Sequence, residues 1–222
     1  VENVNRLPMQ KIEDTQYPTN FFFNKELYPG KTMNVEFSMH PLTQPYGVYF
    51  WVHGRDVKDI KKEAYTPEQL CLREGPKGED KYCAESLETL MNFVISKLGK
   101  NAQAFSSSFL SKQEEYTVEG VQNLGGKAVM CHRLNFQKAV FYCHEVHETK
   151  AFMVPLVAGD GTKTQALAVC HFDTSVLNFE LFRQIMKVDP GTNPLCHFLG
   201  NKSILWVPNL AMEGASQTNI VV

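Results

Sequence analysis

The stretch KAVMCHRLNFQKAVFYCHEVHETKAFMVPLVAGDGTKTQALAVCHF (127–172) decides the fold. It divides into four short β-prone runs, KAVMCHRL, AVFYCHEV, KAFMVPLV and QALAVCHF, separated by turns. Three of these runs carry a Cys-His dipeptide, and a fourth dipeptide lies beyond them: Cys131-His132, Cys143-His144, Cys170-His171 and Cys196-His197. Gaps of 10, 25 and 24 residues separate successive dipeptides, and a gap of eight separates the last from Trp206. Four of the six cysteines precede a histidine, and four of the seven histidines come after a cysteine, which scattered core residues would not produce. Neighbouring side chains of a strand point to opposite faces. The alternation predicts cysteines turned to the core, where they cross-link in pairs, and histidines turned to a cleft, where imidazoles converge as metal donors. An oxidised cysteine is no longer a thiolate ligand, so such a site would be held by nitrogen and oxygen, which suits copper, zinc, iron or nickel. The competing readings are a mixed Cys/His zinc site, whose usual short Cys-to-Cys spacing is missing here, and disulfides with no metal.

Outward from this centre, FFFNKELYPGKTMNVEF (21–37) holds aromatics, a Pro29-Gly30 turn and rough alternation through Met33, Val35 and Phe37, so a strand is expected. Residues 1–20 are polar, with Pro8 and Pro18, and read as an arm. AESLETLMNFVISKL (84–98) has the clearest helical period, through Leu87, Leu90, Met91, Val94, Ile95 and Leu98, with Gly99 as its C-cap. Cys71 and Cys83 sit in a charged stretch, and their short separation suggests a local disulfide. VLNFELFRQIMKV (176–188) leans helical, and ILWV (204–207) reads as a last strand. The expected class is α+β: a helical N-terminal part packed on a β-rich, disulfide-stapled C-terminal half.

Composition bounds the function. The 222 residues carry a formal charge of −2, with 43% hydrophobic and 21% charged residues. That is ordinary for a folded domain and lacks the positive surface of a nucleic-acid binder. No apolar run reaches the roughly 18 residues of a membrane span, and VENVNRLPMQ (1–10) is not a signal peptide. Asn201-Lys202-Ser203 is a formal glycosylation sequon.

One segment suits oxidative chemistry. In Gln44-Pro45-Tyr46-Gly47-Val48-Tyr49-Phe50-Trp51, a glycine Cα–H is unhindered, Trp51 offers an indole nitrogen, and Tyr46 and Tyr49 offer phenols. The bland reading is a loop whose aromatics pack on the core.

Taken together, FFNKELYPGKTM (22–33), the Cys71 and Cys83 pair, the four Cys-His dipeptides and the closing Trp206 resemble the plant BURP domain over nearly the whole chain. The resemblance implies a single BURP domain over 21–215, and residues 44–51 look like a burpitide core peptide of the lyciumin or legumenin type, fused to its cyclase in the unknown-seed-protein subfamily. It also implies an autocatalytic peptide cyclase, dependent on copper and dioxygen. Trp51 indole nitrogen would join Gly47 Cα, and Tyr49 oxygen would then join a side-chain carbon of Gln44. By the same resemblance, His132, His144, His171 and His197 match copper-associated histidines of two centres, with His147 as a further ligand. Cys131, Cys143, Cys170 and Cys196 match the stapling cysteines. The expected partners are the chain's own core peptide and downstream proteases, with no nucleic acid. The expected location is the secretory pathway, then cell wall or vacuole. The competing class is a non-catalytic cell-wall or seed structural or interaction protein with a metal site.

Overall fold

Each β-prone run forms a strand, and the parity of that strand sorts its side chains between two faces. The computed structural model describes residues 21–36, 71–72, 77–108, 113–135, 139–175, 186–200 and 202–209. The expected arm (1–20), the 44–51 peptide and most of the expected 176–188 helix lie outside the described residues, as do His40 and His53, the two remaining histidines that could have served as extra ligands.

The strands are β1 (Phe21–Phe23), β2 (Thr32–Glu36), β3 (Glu79–Ala84), β4 (Ala102–Ser106), β5 (Gln113–Val118), β6 (Gln122–Gly125), β7 (Val129–Asn135), β8 (Ala139–Val146), β9 (Thr149–Ala158), β10 (Lys163–His171), β11 (Leu195–Leu199) and β12 (Ser203–Pro208). They form a seven-stranded sheet in the order β1-β11-β10-β9-β5-β2, with β6 also on β9, and a five-stranded sheet in the order β3-β8-β7-β12-β4. The sheets face each other across one apolar layer. Met130, Val146, Leu205 and Val207 come from the smaller sheet, and Ala151, Leu167, Val169, Leu195 and Leu199 from the larger. Burying such side chains stabilises the layer by roughly 25 cal/mol per Å² of apolar surface.

The helix α1 (Leu87–Leu98) starts at Ser86, whose hydroxyl accepts from the Thr89 N–H in a reciprocal capping box. It ends at Gly99, where φ is 82° and the N–H donates to the Ile95 carbonyl at 2.9 Å. That positive φ is one that glycine adopts without strain. Leu90 and Val94 bury against Val129, Cys131 and Cys143 on the outer face of the smaller sheet. The helix lies mid-chain, after β1, β2 and β3, so the expected N-terminal helical part is corrected. Its period was legible, but its place depended on which strands precede it in space. The α+β class and the disulfide-stapled antiparallel core stand.

One corner positions the histidine-bearing strands of the two sheets. The chain leaves the smaller sheet at Val146 and enters the larger at Thr149, through His147 and Glu148. Glu148 takes φ 52°, an uncommon conformation for a side-chain-bearing residue, and its carbonyl accepts from the Phe172 N–H at 2.8 Å. The turn sets Thr149 directly opposite His171 in the β9–β10 ladder.

Candidate functional site: two imidazole pairs between the sheets

The dipeptides meet as register partners. Cys131 lies opposite Cys143 in the β7–β8 ladder, and Cys170 lies opposite Cys196 in β10–β11. Both pairs are disulfides, with Cα–Cα distances of 4.0 and 3.9 Å, and Cys71–Cys83 is the third, at 5.7 Å. The first two point to the outer faces: Cys131 and Cys143 lie under α1, and Cys170 and Cys196 join the outer cluster of the larger sheet. The histidines therefore point the other way, into the layer between the sheets. Among the described residues, no open cleft receives them. His132, His144, His171 and His197 are 8%, 2%, 0% and 6% exposed, so both faces of these strands are buried.

In the first pair, His132 Nε2 and His144 Nε2 are 3.1 Å apart. His132 Nδ1 meets the Ser203 hydroxyl at 2.9 Å, and His144 Nδ1 meets Glu79 Oε1 at 2.6 Å. The Tyr142 hydroxyl donates to the same carboxylate oxygen at 3.0 Å. With both rings neutral, one arrangement satisfies every ring nitrogen. Ser203 donates to His132 Nδ1, His132 Nε2–H donates to His144 Nε2, and His144 Nδ1–H donates to Glu79. The carboxylate end is charge-assisted and short.

The second pair repeats the plan with a weaker end. His171 Nε2 and His197 Nε2 are 3.4 Å apart. Thr149 Oγ1 lies 2.8 Å from His171 Nδ1, and His197 Nδ1 reaches the Phe198 carbonyl at 3.4 Å. A hydroxyl again begins the chain, but a neutral carbonyl ends it.

Burial dominates the electrostatics. It holds His132 and His171 well below the ordinary imidazole value, and the ring partner in the same pair, then a histidine of the other pair, add to the effect. Burial likewise brings His197 down to about 4, against a partly offsetting bond to the Phe198 carbonyl. Burial alone would raise Glu79, but its hydrogen bond and electrostatic attraction to His144, then the hydrogen bond from Tyr142 and the nearby Lys81, outweigh it, so its carboxyl ends below the usual range. Burial, helped by that carboxylate, pushes the Tyr142 phenol far up. Glu79 Oε2 is buried with no hydrogen-bond partner among the described residues.

These residues do not fit the expected copper centres. Each pair brings two Nε2 atoms together, and the other ring nitrogens are committed to Ser203, Glu79, Thr149 and Phe198. Glu79 sits on the Nδ1 side of His144, away from the Nε2 contact, and cannot complete a set around it. His147 is exposed in the corner turn, its N–H donating to the Gly78 carbonyl. Among the described residues, no group of three or more His, Cys, Asp or Glu is placed to hold a metal ion. Copper as cofactor is thereby overturned, and with it the copper- and dioxygen-dependent macrocyclisation and the assignment as an oxidative enzyme. His132, His144, His171 and His197 are brought together in twos, as a buried hydrogen-bonded network.

Sequence reasoning missed Glu79 and Thr149, and saw Ser203 only as part of a sequon. Their signal is register: Glu79 lies opposite Val146, Ser203 opposite His132 and Thr149 opposite His171. A sequence read without its pairings does not contain it.

The family model for the BURP domain matches residues 55–208, which include all four dipeptides and both partners of the third disulfide. The chain belongs to the BURP-domain family. Unknown seed protein USP from Vicia faba is 42% identical over 215 residues, covering 92% of this chain and 77% of that protein. Embryonic abundant protein VF30.1 from the same species is 43% identical over the same coverage. BURP domain protein RD22 from Arabidopsis thaliana is 34% identical over 226 residues, covering 88% of this chain and 57% of that protein. The names of these BURP relatives speak of seed, embryo and domain, and none states a reaction. No described helix of this BURP domain is long and apolar enough to cross a membrane.

Proposed function

We propose that the chain is a non-catalytic structural or interaction protein of seed tissue, acting in the secretory pathway and then in the cell wall or vacuole. The observation that carries this reading is the use made of the histidines. All four are buried in hydrogen bonds to one another and to neighbouring strands, and the strands that bear them are stapled behind by Cys131–Cys143 and Cys170–Cys196. An interior wired in this way resists opening, which is what a persistent matrix or seed component needs. The seed and embryo names of the Vicia faba relatives support the tissue. Three disulfides support an oxidising compartment, since such bonds persist there and are rare in the cytosol.

Intact mass spectrometry of the purified oxidised protein tests the reading. The expected mass is that of the chain less two hydrogens for each of three disulfides, unchanged on prolonged incubation in air. Further loss of hydrogen during incubation would overturn the non-catalytic role. Resistance to proteolysis that survives with the disulfides intact and collapses on reduction is the expected companion result.

A further inference from the structure

The exposed face of α1 has a chemistry that the stapled core does not explain. Leu87, Met91 and Ile95 succeed one another at spacings of four and form a ridge along one flank of the helix. Leu87 is 73% exposed and Ile95 36%, and Met91 is half-buried between them. The hydroxyls of the same helix are already satisfied within it: Ser86 and Thr89 in the capping box, and Ser96 on the Phe93 carbonyl at 2.7 Å. Covering this surface would strand none of them, so its desolvation is inexpensive.

The charges say what would cover it. Glu85 and Glu88 are exposed at the N-terminal end of α1, and Lys100 is exposed just past the C-terminal end. None of the three has an ion pair among the described residues, whereas Lys97 is engaged by Asp80 at 2.5 Å. An apolar ridge with acid at one end and base at the other is complementary to itself when reversed. A twofold axis across the ridge sets the acidic end of each helix against the basic end of the other, and also opposes the two helix dipoles. A parallel arrangement would instead set like charges together.

We propose that α1 is a self-docking surface on which a second copy of this chain seats its own α1 antiparallel, with Leu87, Met91 and Ile95 interdigitating and Glu88 facing Lys100 of the other copy. The contact is small, so association is weak and matters where the protein is concentrated. The inference stands whether or not the seed role proposed above holds, because it concerns only the outer face.

Sedimentation equilibrium of the oxidised full chain from about 1 μM to about 1 mM tests it, a range that spans weak association. A reversible shift from monomer to twice the monomer mass is expected, and a monomer at every concentration overturns the proposal. Leu87→Glu with Ile95→Glu should abolish the dimer while leaving the thermal midpoint of the monomer unchanged, since both side chains are exposed. A dimer that persists in that variant lies on another face and overturns the proposal equally. Glu88→Lys and Lys100→Glu should each weaken association about threefold to tenfold, as exposed pairs repeated by symmetry allow. Combined in one chain they should restore it. A combined variant weaker than either single one would rule out the antiparallel pairing.

Discussion

The two imidazole pairs share one plan and differ at one end. Each begins at a hydroxyl from a neighbouring strand, Ser203 or Thr149, and passes through two rings joined at Nε2. The pair on the smaller sheet ends on the Glu79 carboxylate at 2.6 Å, and the pair on the larger sheet ends on the Phe198 carbonyl at 3.4 Å. The ring-to-ring distances keep the same order, at 3.1 and 3.4 Å. A charged acceptor at one end tightens the whole chain, because each hydrogen bond polarises the next in a medium of low dielectric. The difference teaches that identical Cys-His dipeptides do not set identical environments. The strand alongside does.

The largest expected effect is on acid stability, and it separates the pairs. His132, His171 and His197 are held neutral in the fold below the ordinary value of 6.5. Their unfolded forms take up protons first, so stability is full above pH 6.5 and falls as pH drops towards the folded values. His197 alone, at about 4, accounts for about 3 kcal/mol of that loss. Glu79 adds to it below pH 4.5, since its lowered folded value makes its contribution disappear as it protonates. Urea unfolding at successive pH values should show the decline. In His197→Gln the slope between pH 6.5 and 4 should be shallower by up to about 1.4 kcal/mol per pH unit. An unchanged slope would mean that the larger-sheet pair does not bind protons on unfolding as described.

Next in size are the staples. Replacing both cysteines of Cys170–Cys196 or of Cys131–Cys143 by alanine should cost about 3 kcal/mol in urea unfolding. The enclosed loops differ, with separations of 26 and 12 residues, but loop-closure entropy makes that worth only about 0.7 kcal/mol in favour of the longer one. If the shorter staple proves the more costly, the tighter chain through Glu79 is coupled to the disulfide behind it.

A smaller effect distinguishes the acceptors. Glu79→Gln leaves one neutral carbonyl to receive both His144 Nδ1–H and the Tyr142 hydroxyl, and should cost about 2 kcal/mol at pH 7. The ring ¹⁵N shifts of His144 should move in this variant, while those of His171 and His197 should stay in place. The smallest changes are Ser203→Ala and Thr149→Val, each worth about 1 kcal/mol for one hydroxyl donor. Equal losses would show that the two chains begin alike, and that Glu79 alone makes them differ.

Much of this was legible from the chain. The helix, which occupies Leu87–Leu98 of the expected 84–98, its Gly99 cap, the four runs of 127–172 and the closing strand at 204–207 all come from local period and turn residues. The opposite-face rule separated cysteine from histidine, because strand parity is a property of the backbone alone, but the histidines face the layer between the sheets and not a cleft, and the cysteines face the outer clusters. The rule did not say that the histidine face would be buried. That depends on a second sheet closing over it, brought round by the corner at His147 and Glu148. The expectation of metal failed at the same point. Four histidines on one set of faces suggest convergence, but the register brings them together in twos and gives their remaining nitrogens to Ser203, Glu79, Thr149 and Phe198.

By itself, the sequence determined the BURP family, the strands of 127–172 and 204–207, the helix before Gly99 and the turning of cysteines and histidines to opposite faces. Those are written in local pattern and in the spacing of the dipeptides. Only the tertiary structure decided how the four cysteines of the Cys-His dipeptides pair, that Glu79 ends one imidazole chain and a backbone carbonyl the other, and that the histidine faces are closed. Those outcomes turn on contacts between residues far apart in the chain, such as Glu79 with His144 and Ser203 with His132, whose geometry is fixed by register and sheet packing.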